Sequence, residues 1–152
     1  MKEAKREIVV LRLSERGYRD LRITTHCALV ARAFGASKII LSEGLDNSIE
    51  KNVQNIQKRF GGRFKVEYVE DTRKALQELK KGGWTIIHLT MYGEKPKEAM
   101  KWIQKENTKK IAVVIGSEKV PPHIYEMADR NVRVTRHPHS EVAALGVFLH
   151  YL

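Results

Sequence analysis

The sequence predicts an α/β fold, an open and mostly parallel sheet with helices on both faces. Three observations lead there. Short runs rich in β-branched residues recur along the chain, segments of helical periodicity lie between them, and glycines stand at the joins. Strand, helix, strand repeated in this way requires crossover connections, which set successive strands parallel and cover both sides of the sheet.

Taken in order, IVVLRL (8–13) is the first expected strand, and TTHCALVARAFG the first helix, with Thr24 or Thr25 as N-cap. KIILS (38–42) follows as a strand. In SIEKNVQNIQKRF, Ile49, Val53, Ile56 and Phe60 fall at spacings of four, three and four, which is one helix face. FKVEYV (64–69) is the third strand, and Asp71 caps TRKALQELKK, whose Ala75, Leu76 and Leu79 turn inward. TIIHLT (85–90) is the fourth strand. Pro96 suits the first turn of PKEAMKWIQKE, with Ala99, Met100 and Ile103 as its apolar stripe. IAVVIG (111–116) and VRV (132–134) complete the strands.

A last helix is expected after Ser140, an N-cap hydroxyl, with Glu141 at the positive end of its dipole. Its Ala143, Ala144 and Gly146 make a face small enough for close packing or self-association. Gly35, Gly61-Gly62 and Gly82-Gly83 each close a periodic segment before a strand, where a left-handed residue strains any side chain with a Cβ. No repeat, low-complexity segment or linker interrupts the 152 residues, so a single domain over 1–152 is expected.

The charge balance points to a partner. Lys and Arg total 28 against 18 acidic residues, a formal net charge of +10. Such a surplus favours a polyanion, because each neutralised phosphate releases counterions. No basic amphipathic helix carries bulky apolar anchors for a membrane surface, and no apolar run approaches the roughly 18 residues of a membrane span. MKEAKRE at the start lacks the apolar core of a secretory signal. The single cysteine, Cys27, excludes an internal disulfide and fits a cytoplasmic protein; its apolar helical setting reads as a small buried hydrophobe.

Open parallel sheets bind ligands beyond the carboxyl ends of their strands. Three loops of unusual composition follow strands there: MYGEKP, SEKVPP and TRHPHS. A glycine-rich dinucleotide loop, a phosphate loop and a cysteine zinc finger are all absent from the sequence. His137 and His139 form H-x-H, but no carboxylate–histidine spacing accompanies them and Pro138 fixes a turn, so no metal is expected. Arg12, Arg16, Arg19 and Arg22 cluster at the first strand-to-helix loop. Guanidinium forks there fit phosphate oxygens; equally, Glu15 and Asp20 would pair some of that charge in a solvated loop.

The segments VVLRL, RDLRITTHCALVARAFGA, IIHLTMYG, IAVVIGSEKVPPHIYEMADRNV and PHSEVAALGVFL together resemble the archaeal tRNA 2′-O-ribose methyltransferases that modify cytidine 56, of the SPOUT superfamily. They occur in the family's order and cover most of the chain outside roughly 40–80. The resemblance implies S-adenosylmethionine bound in a C-terminal trefoil knot, a homodimer, and tRNA as substrate. By position it implies cofactor contacts at Leu89, at Gly116, Ser117, Glu118, Lys119 and Val120, and at Val134, Thr135, Arg136, His137, Pro138, His139, Ser140 and Glu141. Arg12, Arg16 and Arg19 become RNA contacts.

Methyl displacement by a ribose 2′-hydroxyl needs alignment, a proton acceptor and a grip on the adjacent phosphate. Arg22 is assigned to hydroxyl and phosphate, donated across a dimer, and His26 is the secondary candidate for proton transfer. Because arginine stays protonated, positioning and charge stabilisation are its expected roles. Thr135, Arg136 and His137 stand where the family carries Gly-Asn-Gln, Ser117 where it carries alanine, and SERGY where it carries GHRPE. Two alternatives follow: an RNA-binding module with an impaired cofactor loop, or a 2′-O-methyltransferase acting on another RNA nucleotide.

Overall fold

A strand sandwiched between two helical layers must be apolar at successive positions, and IVVL and IAVVI meet that condition. In the computed structural model, which describes residues 6–13, 21–42, 48–116 and 120–152, these segments form β1 (Glu7–Arg12) and β5 (Lys110–Ile115), neighbours at the centre of a six-stranded sheet. Outward on one side lie β2 (Lys38–Ser42) and β3 (Lys65–Val69); on the other lie β4 (Thr85–Glu94) and β6 (Arg130–Val132). The order is β3-β2-β1-β5-β4-β6, and every pairing is parallel.

Alternation along the central strands builds two cores. Ile8, Val10, Ile111, Val113 and Ile115 face one of them, closed by Cys27 of α1 (Leu21–Ala33), Ile49 of α2 (Ser48–Phe60), Ile103 of α4 (Pro96–Lys105) and Phe148 of α6 (Glu141–Tyr151). Val9, Leu11, Ala112 and Val114 face the other, closed by Leu76 of α3 (Thr72–Lys81) and Ile124 of α5 (Pro122–Met127). Helices therefore cover both faces, as the sequence pattern required.

Asp71 and Ser140 cap their helices, accepting from Lys74 N at 3.1 Å and Val142 N at 3.2 Å. Pro96 opens α4. Gly35, Gly61, Gly62 and Gly83 take positive φ; Gly82 is right-handed at −78°.

Four expectations are corrected. The first helix starts at Leu21, so neither Thr24 nor Thr25 is its N-cap; Thr25 Oγ1 donates back to Leu21 O at 2.8 Å, inside the helix. Phe60 leaves the stripe of α2 and is 69% exposed, with the Arg59 guanidinium 5.4 Å from its ring centroid. The last strand is Arg130–Val132, two residues earlier than expected, because Asn131 finds side-chain partners that offset its polarity. Finally, MYGE is strand and not loop: β4 runs to Glu94, and both Leu89 and Glu94 pair with Val132 across an irregularity. Gly93 makes that pairing possible, since a Cβ there would lie 2.5 Å from Val132 N and 2.6 Å from Asn131 O.

Candidate active site

Strand ends and loops converge where β4, β5 and β6 finish. A cleft of about 520 Å³ opens there. Leu89, Thr90 and Met91 form one wall, Ile115, Gly116 and Val120 another, and Tyr125 of α5 approaches from one side. Val134, the His137–Pro138–His139 turn, and Glu141 and Ala144 of α6 close it.

Eight of the expected cofactor residues thus line one cleft: Leu89, Gly116, Val120, Val134, His137, Pro138, His139 and Glu141. Thr135, Arg136 and Ser140 do not line it. Thr135 Oγ1 instead accepts from His137 N at 2.9 Å and donates to His137 O at 3.0 Å, which shapes the turn. Ser140 caps α6, and Arg136 is exposed. Ser117, Glu118 and Lys119, like Arg16 and Arg19, lie outside the described residues. Thr90, Met91, Ile115, Tyr125 and Ala144 reach the cleft without having been named as cofactor contacts, although Met91 fell in a loop expected to bind ligand and Ala144 in the small-residue face of the last helix; Tyr125 is brought in by the placing of α5.

A substituent on Gly116 would crowd the wall itself, because a Cβ would lie 3.0 Å from Leu13 Cδ1 and 3.1 Å from Val120 Cγ2. Below the cleft runs a polar chain. Thr90 Oγ1 and the Tyr125 hydroxyl are 3.0 Å apart. Asn131 Nδ2 donates to Tyr125 O at 3.1 Å, which turns Asn131 Oδ1 toward His88 Nδ1 at 2.9 Å and places the His88 proton on Nδ1. His88 is fully buried, edge-on to the Tyr125 ring with centroids 4.8 Å apart, and its Nε2 has no hydrogen-bond partner among the described residues. Burial pushes its pKa below the usual histidine value, while the Asn131 contact pulls the other way.

Arg12, expected at an RNA phosphate, is engaged within the chain. Its guanidinium is buried, donating to Thr24 Oγ1 of α1 and, at 2.7 Å, to Glu141 Oε1 at the start of α6. The ion pair ties β1, α1 and α6 together. Cys27 lies beside this pair, fully buried; desolvation and then the Glu141 charge push its thiol up to about 12, against a smaller lowering by Arg12. The small-hydrophobe reading of Cys27 fits that environment.

Arg22 and His26 are exposed and four residues apart, hence on one face of α1. Neither lines the cleft of its own chain. The histidine turn makes internal bonds, including His139 Nδ1 with Ser140 O at 3.0 Å. Among the described residues, no group of three or more His, Cys, Asp or Glu could hold a metal ion, and no helix is long and apolar enough to cross a membrane.

The model of a family described as tRNA ribose 2′-O-methyltransferase matches residues 60–152. Proteins named tRNA (cytidine(56)-2′-O)-methyltransferase are similar over nearly the whole chain. The one from Thermococcus kodakarensis is 50% identical over 144 residues, which is 93% of this chain and 79% of that protein. The one from Methanosphaera stadtmanae is 48% identical over 145 residues, 95% of this chain and 82% of that protein.

Among solved structures, an RNA 2′-O ribose methyltransferase superposes with a TM-score of 0.74 at 14% identity, over 99% of this chain, which spans 57% of that one. The A. aeolicus TrmH/SpoU tRNA modifying enzyme gives 0.71 at 16%, over 98% of this chain and 75% of that one. AviRb from Streptomyces viridochromogenes, solved with AdoMet, gives 0.68 at 13%, over 97% and 57%. At such identities the likeness is one of fold.

Proposed function

This chain belongs to the tRNA ribose 2′-O-methyltransferase family, and from that premise we propose that it transfers a methyl group from S-adenosylmethionine to the 2′-hydroxyl of cytidine 56 in tRNA. The observation that carries the reading is the convergence of Leu89, Gly116, Val120 and the His137–His139 turn on one cleft, although they are distant in sequence.

The cleft fits the cofactor. Leu89, Ile115 and Val120 offer apolar surface for an adenine ring, and Val134 and the 137–139 turn bring backbone polar groups to its edge. S-adenosylmethionine supplies a methyl already activated on a sulfonium, so the chemistry calls for no metal. The chain's residues then orient the ribose oxygen and stabilise charge. Arg22 serves at the hydroxyl and its phosphate, and His26, on the same face of α1, is the candidate for the proton.

Both lie away from their own cleft, which supports a homodimer in which α1 of one protomer serves the cleft of its partner. The surface offers a seat for that contact. An apolar groove of about 430 Å³ runs between Phe34 and α6, lined by Ala143, Gly146, Val147, His150 and Tyr151, with Phe34, Val147 and Tyr151 exposed. A Cβ on Gly146 would meet only Val30 Cγ1 at 3.6 Å, so packing within the chain does not demand glycine there. A monomeric mass in light scattering would count against this assembly. The strand order supports the trefoil knot implied by the resemblance, since the chain returns inward from β4 to β5 and then passes outward to β6. A tRNA-modifying role and one deeply buried thiol fit the cytoplasm.

The test is transfer of labelled methyl from S-adenosylmethionine to an unmodified tRNA transcript, followed by mapping. Label on the ribose of cytidine 56 is expected. Label elsewhere would move the target to another nucleotide. Bound tRNA without transfer would favour the RNA-binding module, with the Thr135–His137 turn as the cause.

A further inference from the structure

We propose that Tyr92 is a stacking platform for a nucleobase of the RNA substrate at the rim of the cleft, an inference that rests on the methyltransferase reading above. Tyr92 is 77% exposed, more than any other large apolar side chain among the described residues. Folding gains little from burying it, yet its backbone is held on every side. Its N–H donates to Thr90 Oγ1 at 3.3 Å, and Thr90 and Met91 both line the cleft. The next residue, Gly93, is pressed against the Asn131–Val132 backbone, and its carbonyl accepts from the Arg133 guanidinium at 3.2 Å. Glu94 pairs with Val132 in the sheet and with Arg130 at 3.0 Å. A rigid strand thus presents a ring to water beside the reaction site. That arrangement loses little entropy when a flat partner lands on it.

The surroundings decide what the partner is. Lys95 and Lys97 follow on the exposed surface and Arg133 adjoins Gly93, while Glu94 is already paired and Glu98 is the exposed acid nearby in sequence. An aromatic face among cations is the combination that holds single-stranded nucleic acid, the ring taking the base and the cations the backbone.

The experiment compares wild type, Tyr92→Ala and Tyr92→Trp for binding of an unmodified tRNA transcript across a salt series, with S-adenosylhomocysteine affinity and solution mass measured alongside. Tyr92→Ala is expected to weaken tRNA binding about tenfold, the equivalent of ~1.4 kcal/mol and within the range for one stacked base. Tyr92→Trp should hold within about threefold, since it keeps the π-face. The slope of log affinity against log salt should not change, because no phosphate contact is lost. Unchanged tRNA affinity in Tyr92→Ala, a shallower slope, or a loss of mass with tRNA binding intact (a protein contact instead) would each overturn the assignment. Wild type that transfers no methyl to tRNA would sink the underlying activity; wild type that transfers while Tyr92→Ala matches it would sink only Tyr92.

Discussion

At Gly93 the two strands approach too closely for any side chain, and this contact is what carries β4 past the irregularity and up to the cleft rim. Alanine there would force backbone apart from backbone. Gly93→Ala is therefore expected to cost at least ~1–3 kcal/mol, read as a lowered midpoint in urea, and to weaken cofactor binding through Thr90 and Met91. His88 below it responds to pH. Its folded pKa is depressed by burial, so between the unfolded value of about 6.5 and that lower value the unfolded chain binds a proton that the native chain does not. The stability this site contributes is full above about pH 6.5 and is lost as pH falls toward the folded pKa. Urea titrations from pH 8 to 5 should show wild type losing stability faster than His88→Gln, by up to ~1.4 kcal/mol per unit. Parallel curves would remove His88 as the cause.

Three elements meet at one buried charge pair. Arg12 ends β1, Thr24 lies in the first turns of α1, and Glu141 opens α6 at the cleft wall. Removing one partner strands the other's charge in the interior. Arg12→Ala should destabilise by ~3–5 kcal/mol, whereas Arg12→Met combined with Glu141→Leu should recover most of that, because two apolar groups of similar volume leave no charge to desolvate. Equal losses in the single and double variants would show that the stranded Glu141 charge is not what destabilises Arg12→Ala. The apolar double variant is also the way to test Arg12 function without unfolding the protein.

For the molecule as a whole, the charge of +10 predicts binding that weakens with salt, by about 0.7–0.9 in log–log slope for each phosphate neutralised. The structure divides the expected arginines. Arg22→Ala, exposed on α1, should make the slope shallower by about one contact; the Arg12→Met/Glu141→Leu pair should leave it alone, since that guanidinium points inward. A shallower slope in the double variant would return Arg12 to the RNA-binding surface.

The layered sheet was legible because burial on both faces demands apolar runs such as IVVL and IAVVI, and because Asp71, Ser140 and Pro96 act within a single turn of chain. Such signals are local, and each works at short range whatever the rest of the chain does. The unusual strings HLTMYG and PHSEVAAL likewise marked residues that end up together in the cleft. The rest depended on partners far along the chain. No periodicity distinguishes an arginine facing solvent from one facing Glu141, 129 residues away, so the burial of Arg12 was not legible. MYGE looked like a loop because its pairing with β6 depends on one glycine meeting Val132. α5 is a short helix with little pattern of its own, yet it supplies Tyr125. Contacts of this kind exist only once the strands are side by side, since their energy comes from the close approach of groups that the sequence keeps apart.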